Sequence, residues 1–276
     1  MQVHRTAIIS DGATIAKDVH IGPYCVVGPD VVLGPGCRLH SHVVLEGKTE
    51  IGENCEIFPF ATIGAPAQDK ALGPNSRLGR LVIGSHNRFR EYVTIHPGTP
   101  KDRGITTVGD HNMLLIGAHI GHDAVIGSNI VMTNSSMAAG HTVVEDRAIL
   151  GAMVGIHQYC RVGTLAMLAG GAMASRDTPP FAMVQGDRAI VRGVNTIGMR
   201  RADISTEDIA IVKHAFRILF WRGHLMPDRI EAVRRAHGDH PLVTEIVRFL
   251  EGSRRGVQMA RGRLEHDENR EQAHAQ

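Results

Sequence analysis

Histidine is the residue to weigh first in this chain. Seventeen stand among its 276 residues, and neutral imidazole is the side chain best matched to taking up a proton near pH 7. One histidine on a surface is most often only a solvated side chain, but four of these are related by a register. In steps of eighteen, Gly121, Ala139 and His157 share a column, and His96 joins them once seven extra residues after Ile95 are discounted. The next column is His122, Gly140 and Gln158, and the one after it is Asp123, His141 and Tyr159. His96, His122, His141 and His157 therefore converge on one edge of whatever object has that period, with His119 three residues before His122. The chemistry available there is general-base catalysis. Gly140 stands level with His122, and a bare backbone N–H beside a base is what an oxyanion hole requires. Asp123 can orient His122 only if a corner lies between them, because neighbours on a strand face opposite ways.

The interval of eighteen comes from a beat of six. Aliphatic residues recur at Ile9, Ile15, Ile21, Val27, Leu33, Leu39, Leu45, Ile51, Ile57 and Ile63, and again from Val108 through Leu114, Ile120 and Ile126 to Leu168. Four residues after each stands a small one, as at Cys25, Val31, Cys37 and Val43. Neither a helix nor a lone strand has a period of six; a hexapeptide repeat does, and it predicts a parallel β-helix. Three short strands make a triangular coil, and coils stack about 4.8 Å apart. The inward columns then form a core without long-range collapse. Glycine follows the aliphatic at Gly22, Gly28 and Gly121 among others, as expected where the chain turns a tight corner. Asn87 and Asn112 fall on inward positions, where an amide can bond neighbouring backbone.

Composition agrees with thin coils, since only 4% of the chain is aromatic. Cys25, Cys37, Cys55 and Cys160 all take the inward small position, which favours packed, reduced thiols over a disulfide or metal framework. There is no secretory signal and no apolar run long enough to span a membrane, so a cytoplasmic location is expected. A net charge of +2 gives no reason to invoke nucleic acid. The beat breaks twice, at insertions near 64–82 and 96–107 that are rich in Gly and Pro. Such loops often gather at a binding face, and Asp69 and His96 sit in them.

The repeat domain is read as 1–186 and a small α-helical domain as 187–257. Ser205-Thr206-Glu207-Asp208 reads as a helix start and Gly223 as its stop. Pro227 opens a second helix through Ala236, and Pro241 opens a third. Residues 258–276 are polar, with little to bury, and are expected to form a disordered tail. The helices would cover the open strand edge of the last coil.

The motifs together resemble the acyl carrier protein-dependent UDP-N-acetylglucosamine O-acyltransferases, the enzymes of the first step of lipid A synthesis. The resemblance rests on Gln68-Asp69-Lys70, Thr94-Ile95-His96-Pro97-Gly98-Thr99, Ala118-His119-Ile120-Gly121-His122-Asp123, Ala139-Gly140-His141, His157-Gln158-Tyr159-Cys160, and Gly193-Val194-Asn195 with Arg200-Arg201. It runs from about residue 6 to about 257. It implies a left-handed coil and a cytoplasmic homotrimer with active sites between subunits. His122 is then the base, Asp123 its partner and Gly140 the oxyanion donor. Asp69, His96, His119, His141, His157 and Gln158 would line the sugar and acyl pockets, Gly170 would floor the acyl pocket, and Asn195, Arg200 and Arg201 would hold the nucleotide. The donor would be a 3-hydroxyacyl chain on acyl carrier protein, whose phosphopantetheine carries the thioester, so no metal or dissociable cofactor is implied. Lys70 directly follows Asp69, one place earlier than the resemblance leads one to expect.

Other hexapeptide proteins offer alternatives. A coenzyme A-dependent acetyltransferase shares the solenoid but needs neither the helical domain nor the paired arginines. A γ-type carbonic anhydrase places three histidines on zinc, with a spacing that His119 and His122 do not match. A purely structural solenoid has no reason to gather four histidines on one edge.

Overall fold

The computed structural model describes residues 2–70, 72, 73, 76, 79–221 and 225–260. Strands pair in parallel at the interval of eighteen, Ile8 with Val26 and Val26 with Val44. Thr62 pairs with Thr94 and Thr94 with His119, so both insertions leave the register intact. Sheets of eleven, nine and eight strands form the three faces of a prism. The chain meets them in turn, at His20–Ile21 on the first face, Val26–Val27 on the second and Val32–Leu33 on the third. From Ile21 onward the aliphatic of each hexad points inward and is buried, while the residue before it is the more exposed; Ile9 and Ile15 at the open end are half-buried. Burying each such side chain contributes about 1.5–3 kcal/mol.

The reading of glycine as the corner residue is corrected. A side chain at Gly22 would stand 2.8 Å from the His40 carbonyl of the next coil, so glycine is needed there because two coils approach closely. The corner comes two residues later. Tyr24, His42, Phe60 and Tyr92 all take the left-handed conformation there, with φ between 57° and 65°. The inward amides behave as expected: Asn87 donates to the carbonyls of Gly84 and Gly109 and accepts from the Asn112 N–H, and Asn112 repeats the pattern with Gly127 and Ile130. All four cysteines are free and buried.

The insertions are shorter than expected. Arg80–Ile83 and Ile105–Val108 are four-residue strands paired with each other, the first also with Lys48–Ile51, so the loops end at 79 and 104. Alternate residues of each strand, Leu81 with Ile83 and Thr106 with Val108, are buried, which holds the added length in the ladder. Both loops leave the second face, after Thr62–Ile63 and Thr94–Ile95, and enter the third. They therefore project from the same edge of the prism.

The end of the solenoid also departs from the expected boundary at 187. The last parallel strand, Ala182–Gln185, turns at Gly186 (φ 106°) into an antiparallel strand, Ile190–Val194. Val191 is buried there, so this segment extends the sheet before the helices begin. Those are α1 (Thr196–Arg201), α2 (Thr206–Trp221), α3 (Met226–His237) and α4 (Pro241–Glu251). Pro227 and Pro241 stand in first turns as expected, and the stop expected at Gly223 lies outside the described residues. The short α1 has no apolar periodicity to announce it. The solenoid and helices are tied by Arg161, which bonds Asp177, donates to the Phe249 carbonyl at 2.6 Å and lies 4.1 Å over the Phe249 ring. Residues 256–260 return along the last coil through bonds from the Asp177 N–H to Gly256, from the Gln258 N–H to Asp177 and from the Val191 N–H to Met259. Residues 258–260 are thus a strap rather than the start of a tail; 261–276 lie outside the described residues. Among the described residues no helix is long and apolar enough to cross a membrane.

Candidate active site

His122 stands on the edge between the second and third faces, just after the strand His119–Ile120. Asp123 takes the left-handed corner conformation, φ 58°, so the chain turns between the two residues and their side chains meet. His122 Nδ1 lies 2.9 Å from Asp123 Oδ2. An ionised carboxylate can only accept, so the shared proton sits on Nδ1 and Nε2 is left as a bare acceptor.

Asp123 is 2% exposed and is held from the second insertion. The Thr99 N–H donates to both carboxylate oxygens at 3.0 Å, and Thr99 Oγ1 donates at 2.7 Å. The Asp123 N–H donates to Thr106 Oγ1 at 2.8 Å. Burial pushes the Asp123 carboxyl up, but the donors from Thr99 and His122 outweigh it and hold the group below the ordinary carboxylate value. Sequence reasoning assigned no role to Thr99 or Thr106. The signal was present in the run from Thr94 to Thr99, whose last hydroxyl belongs to an insertion returning to the corner it left.

Gly140 lies one coil above. A side chain there would stand 2.7 Å from Cε1 and Nε2 of His122, so the imidazole rests against a bare backbone. Among the described residues the Gly140 N–H has no protein acceptor. It is therefore open to a ligand beside Nε2.

The other histidines are present on this edge as counted. His96 and His119 meet edge to face at 4.9 Å, and His119 Nδ1 bonds Thr94 Oγ1 at 2.8 Å. Burial, then the charges of His119 and His122, push His96 down to about 4, and burial with the charge of His122 lowers His119. Both are neutral at pH 7. His141 stacks on Tyr159 at 4.4 Å, meets His122 edge to face at 4.8 Å, and bonds Asp102 Oδ2 through Nδ1 at 2.6 Å. His157 is exposed, with Nδ1 3.2 Å from an Arg255 nitrogen.

Most of these groups border a groove of about 920 Å³, whose described lining does not include His141 or Asp69, both expected there. His96, His119, His122, Gly140, His157 and Gln158 line it, and a strip of Met137, Ile156 and Met173 gives it an apolar side. Gln68 reaches it from the first insertion. Asp69 beside it accepts from Lys101 Nζ at 2.8 Å. The lysine paired with Asp69 thus comes from the second insertion, while Lys70 is exposed.

Four of the expected residues stand elsewhere in the same chain. Gly170 occupies the edge between the first and second faces, where a side chain would meet only Ala152, no closer than 3.4 Å. Asn195 caps α1 by accepting from the Gly198 N–H and donates to the Leu165 carbonyl, on the edge between the third and first faces. Arg200 and Arg201 are exposed in the last turn of α1.

His122, Asp123 and His141 bring ligand atoms within 4.8 Å of one another. Within this group His122 Nδ1 bonds Asp123, Asp123 accepts from Thr99, and His141 Nδ1 bonds Asp102, so the three belong to one hydrogen-bonded cluster.

Residues 177–258 match the family described as UDP N-acetylglucosamine O-acyltransferase, domain 2, and residues 12–47 match the bacterial transferase hexapeptide family. The chain is 43% identical over 257 residues to an acyl-(acyl-carrier-protein)–UDP-N-acetylglucosamine O-acyltransferase of Thermodesulfovibrio yellowstonii, covering 93% of this chain and 98% of that one. The solved UDP-N-acetylglucosamine acyltransferase of Francisella novicida superposes with a TM-score of 0.90 at 36% identity, over 94% of each chain. The Arabidopsis UDP-N-acetylglucosamine acyltransferase superposes at 0.82 and 30%, over 93% of this chain and 99% of that one. With its left-handed β-helix, its helical end and its near full-length match to these proteins, the chain belongs to the acyl carrier protein-dependent UDP-N-acetylglucosamine O-acyltransferase family.

Proposed function

We propose that this chain transfers a 3-hydroxyacyl group from acyl carrier protein to the 3-hydroxyl of UDP-N-acetylglucosamine, the first step of lipid A synthesis, with His122 as general base. The observation that carries the mechanism is the His122–Asp123 pair, whose free Nε2 lies beside the unclaimed Gly140 N–H in a groove with an apolar side. The sugar hydroxyl gives its proton to Nε2 as its oxygen attacks the thioester carbon. The carbonyl oxygen becomes an oxyanion and turns to the Gly140 N–H. Asp123 stabilises the imidazolium that forms. The intermediate then expels the phosphopantetheine sulfur, which takes the proton back from His122, leaving an ester and a free thiol. The thioester brings its own activation, so neither a metal nor a dissociable cofactor has a step to perform.

Neutral His96 and His119 offer hydrogen bonds to the sugar without adding positive charge beside the base. The strip of Met137, Ile156 and Met173 suits the acyl chain. Gly170 and the Asn195–Arg201 segment lie on the other two edges of the same prism, which favours a homotrimer in which neighbouring copies complete each site. Arg200 and Arg201 suit the diphosphate. Residues 187–264 hold fifteen Lys or Arg against nine Asp or Glu, a balance that favours docking of an acidic carrier in the cytoplasm, weakened by salt.

His122→Ala is expected to cut turnover by about 10²- to 10⁴-fold with little change in melting temperature. Near-normal activity in that variant would remove His122 from the role of base. A mass spectrum of the product made from acyl carrier proteins of several chain lengths identifies both the acceptor and the acyl chain.

A further inference from the structure

The tip of the second insertion reaches back into the site. Its base, Pro97–Thr99, is buried, and Thr99 holds Asp123 as described. Residues 100–103 are exposed, yet two of their side chains make directed contacts. Lys101 bonds Asp69 in the first insertion, and Asp102 bonds His141. The second contact gives the edge two histidine–carboxylate pairs one coil apart, His122–Asp123 and His141–Asp102.

We propose that Asp102 is a positioning residue of the catalytic cluster, acting through His141 rather than on substrate. The His141 ring is fixed on two sides, by the stacked face of Tyr159 and by the His122 ring perpendicular to it. Its remaining freedom is which nitrogen carries the proton. A carboxylate 2.6 Å from Nδ1 settles that, keeping the proton on Nδ1 and leaving Nε2 an acceptor. The side chain of His141 is only 10% exposed and that of Asp102 42% exposed, so the constraint arrives from the solvent side of the loop. The ionisable groups around His141 are Asp102, His122, Asp123 and Tyr159; those around His122 are Asp123, His141, His96 and His119. Asp123 and Asp102 are the two carboxylates in this set. When His122 accepts the substrate proton, Asp123 balances the new charge directly, and Asp102 balances it through a neutral ring.

The inference rests on His122 as base, and two variants separate its parts. Asp102→Asn keeps an acceptor for Nδ1–H and removes the charge, whereas Asp102→Ala removes both. For Asp102→Asn, a negative charge is lost near His122, so protonation of the base becomes harder. The acid limb of kcat/KM should move to lower pH, by about half a unit, and the pH-independent turnover should fall about 3- to 10-fold because the base is weaker. Asp102→Ala should lose about 10-fold more, with Asp102→Glu recovering part of it. Asn and Ala variants within twofold of the parent, with superimposable pH profiles, would make Asp102 an ordinary surface residue. If that happens while His122→Ala is inactive, the proposed base survives and this inference alone falls; if His122→Ala is active, both fall.

Discussion

Gly140→Ala is the sharpest probe of how the base is held, because it adds one methyl and leaves the Gly140 N–H in place. The added carbon would lie 2.7 Å from Cε1 and Nε2 of His122, where ordinary contact begins at 3.4 Å. The ring must therefore retreat by about 0.7 Å or more. It has little room to do so, since Nδ1 is tied to Asp123 at 2.9 Å and the His141 ring stands perpendicular to it at 4.8 Å. Moving a reacting group by about 1 Å costs about 10²-fold in rate, so kcat should fall by about that factor with the KM for UDP-sugar little changed. Overpacking of this kind costs about 1–3 kcal/mol locally, a loss of several degrees in Tm at most, so the folded protein can be assayed beside the parent. The assay is steady-state acyl transfer from a defined acyl carrier protein across pH 6–9. If Gly140→Ala retains more than a third of parental turnover, the ring does not lie against this backbone and the placement of Nε2 beside the Gly140 N–H is wrong.

Two further outcomes follow from burial. His96 has its pKa pushed down to about 4 in the fold, below the unfolded histidine value near 6.5; the unfolded state therefore binds the extra proton between those values, and stability should fall as pH drops from about 6.5 to 4, by about 3 kcal/mol in all. Urea titrations at pH 7.5 and 4.5 on the parent and on His96→Gln test this, and an unchanged pH dependence in the variant rules it out. The four cysteines are inward and buried, so a thiol reagent should label none of them in the native protein and all four in guanidinium. Rapid labelling of any one under native conditions would contradict the packed columns.

The sequence carried the solenoid because each hexad repeats one local rule, and an eighteen-residue count survives any insertion that rejoins the ladder. That is why His96, His122, His141 and His157 could be placed on one edge in advance, and why Thr94 pairs with His119 across seven added residues. Periodicity says nothing about residues outside the repeat. Thr99, Lys101 and Asp102 lie in an insertion, and their partners are set by how that loop folds back, which no spacing encodes. The glycine corners were misread for a related reason: a hexad shows where glycine recurs but cannot tell a tight turn from a close neighbour in the next coil. The strand Ile190–Val194 and helix α1 occur once each and so left no pattern to read.

The left-handed backbone at Asp123 and His141, φ 58° and 62°, would in most folds mark strain concentrated at a site of chemistry. Here Tyr24, His42, Asn54 and Arg147 adopt the same conformation far from the groove. The distortion belongs to the architecture, and the same left-handed corner recurs at many levels of the prism. A histidine–aspartate pair could be seated at another level by substitution alone, with no change of backbone. What singles out the level of His122 is the loop that arrives there carrying Thr99. Transplanting the pair without that loop would yield the geometry but leave the carboxylate without its donors.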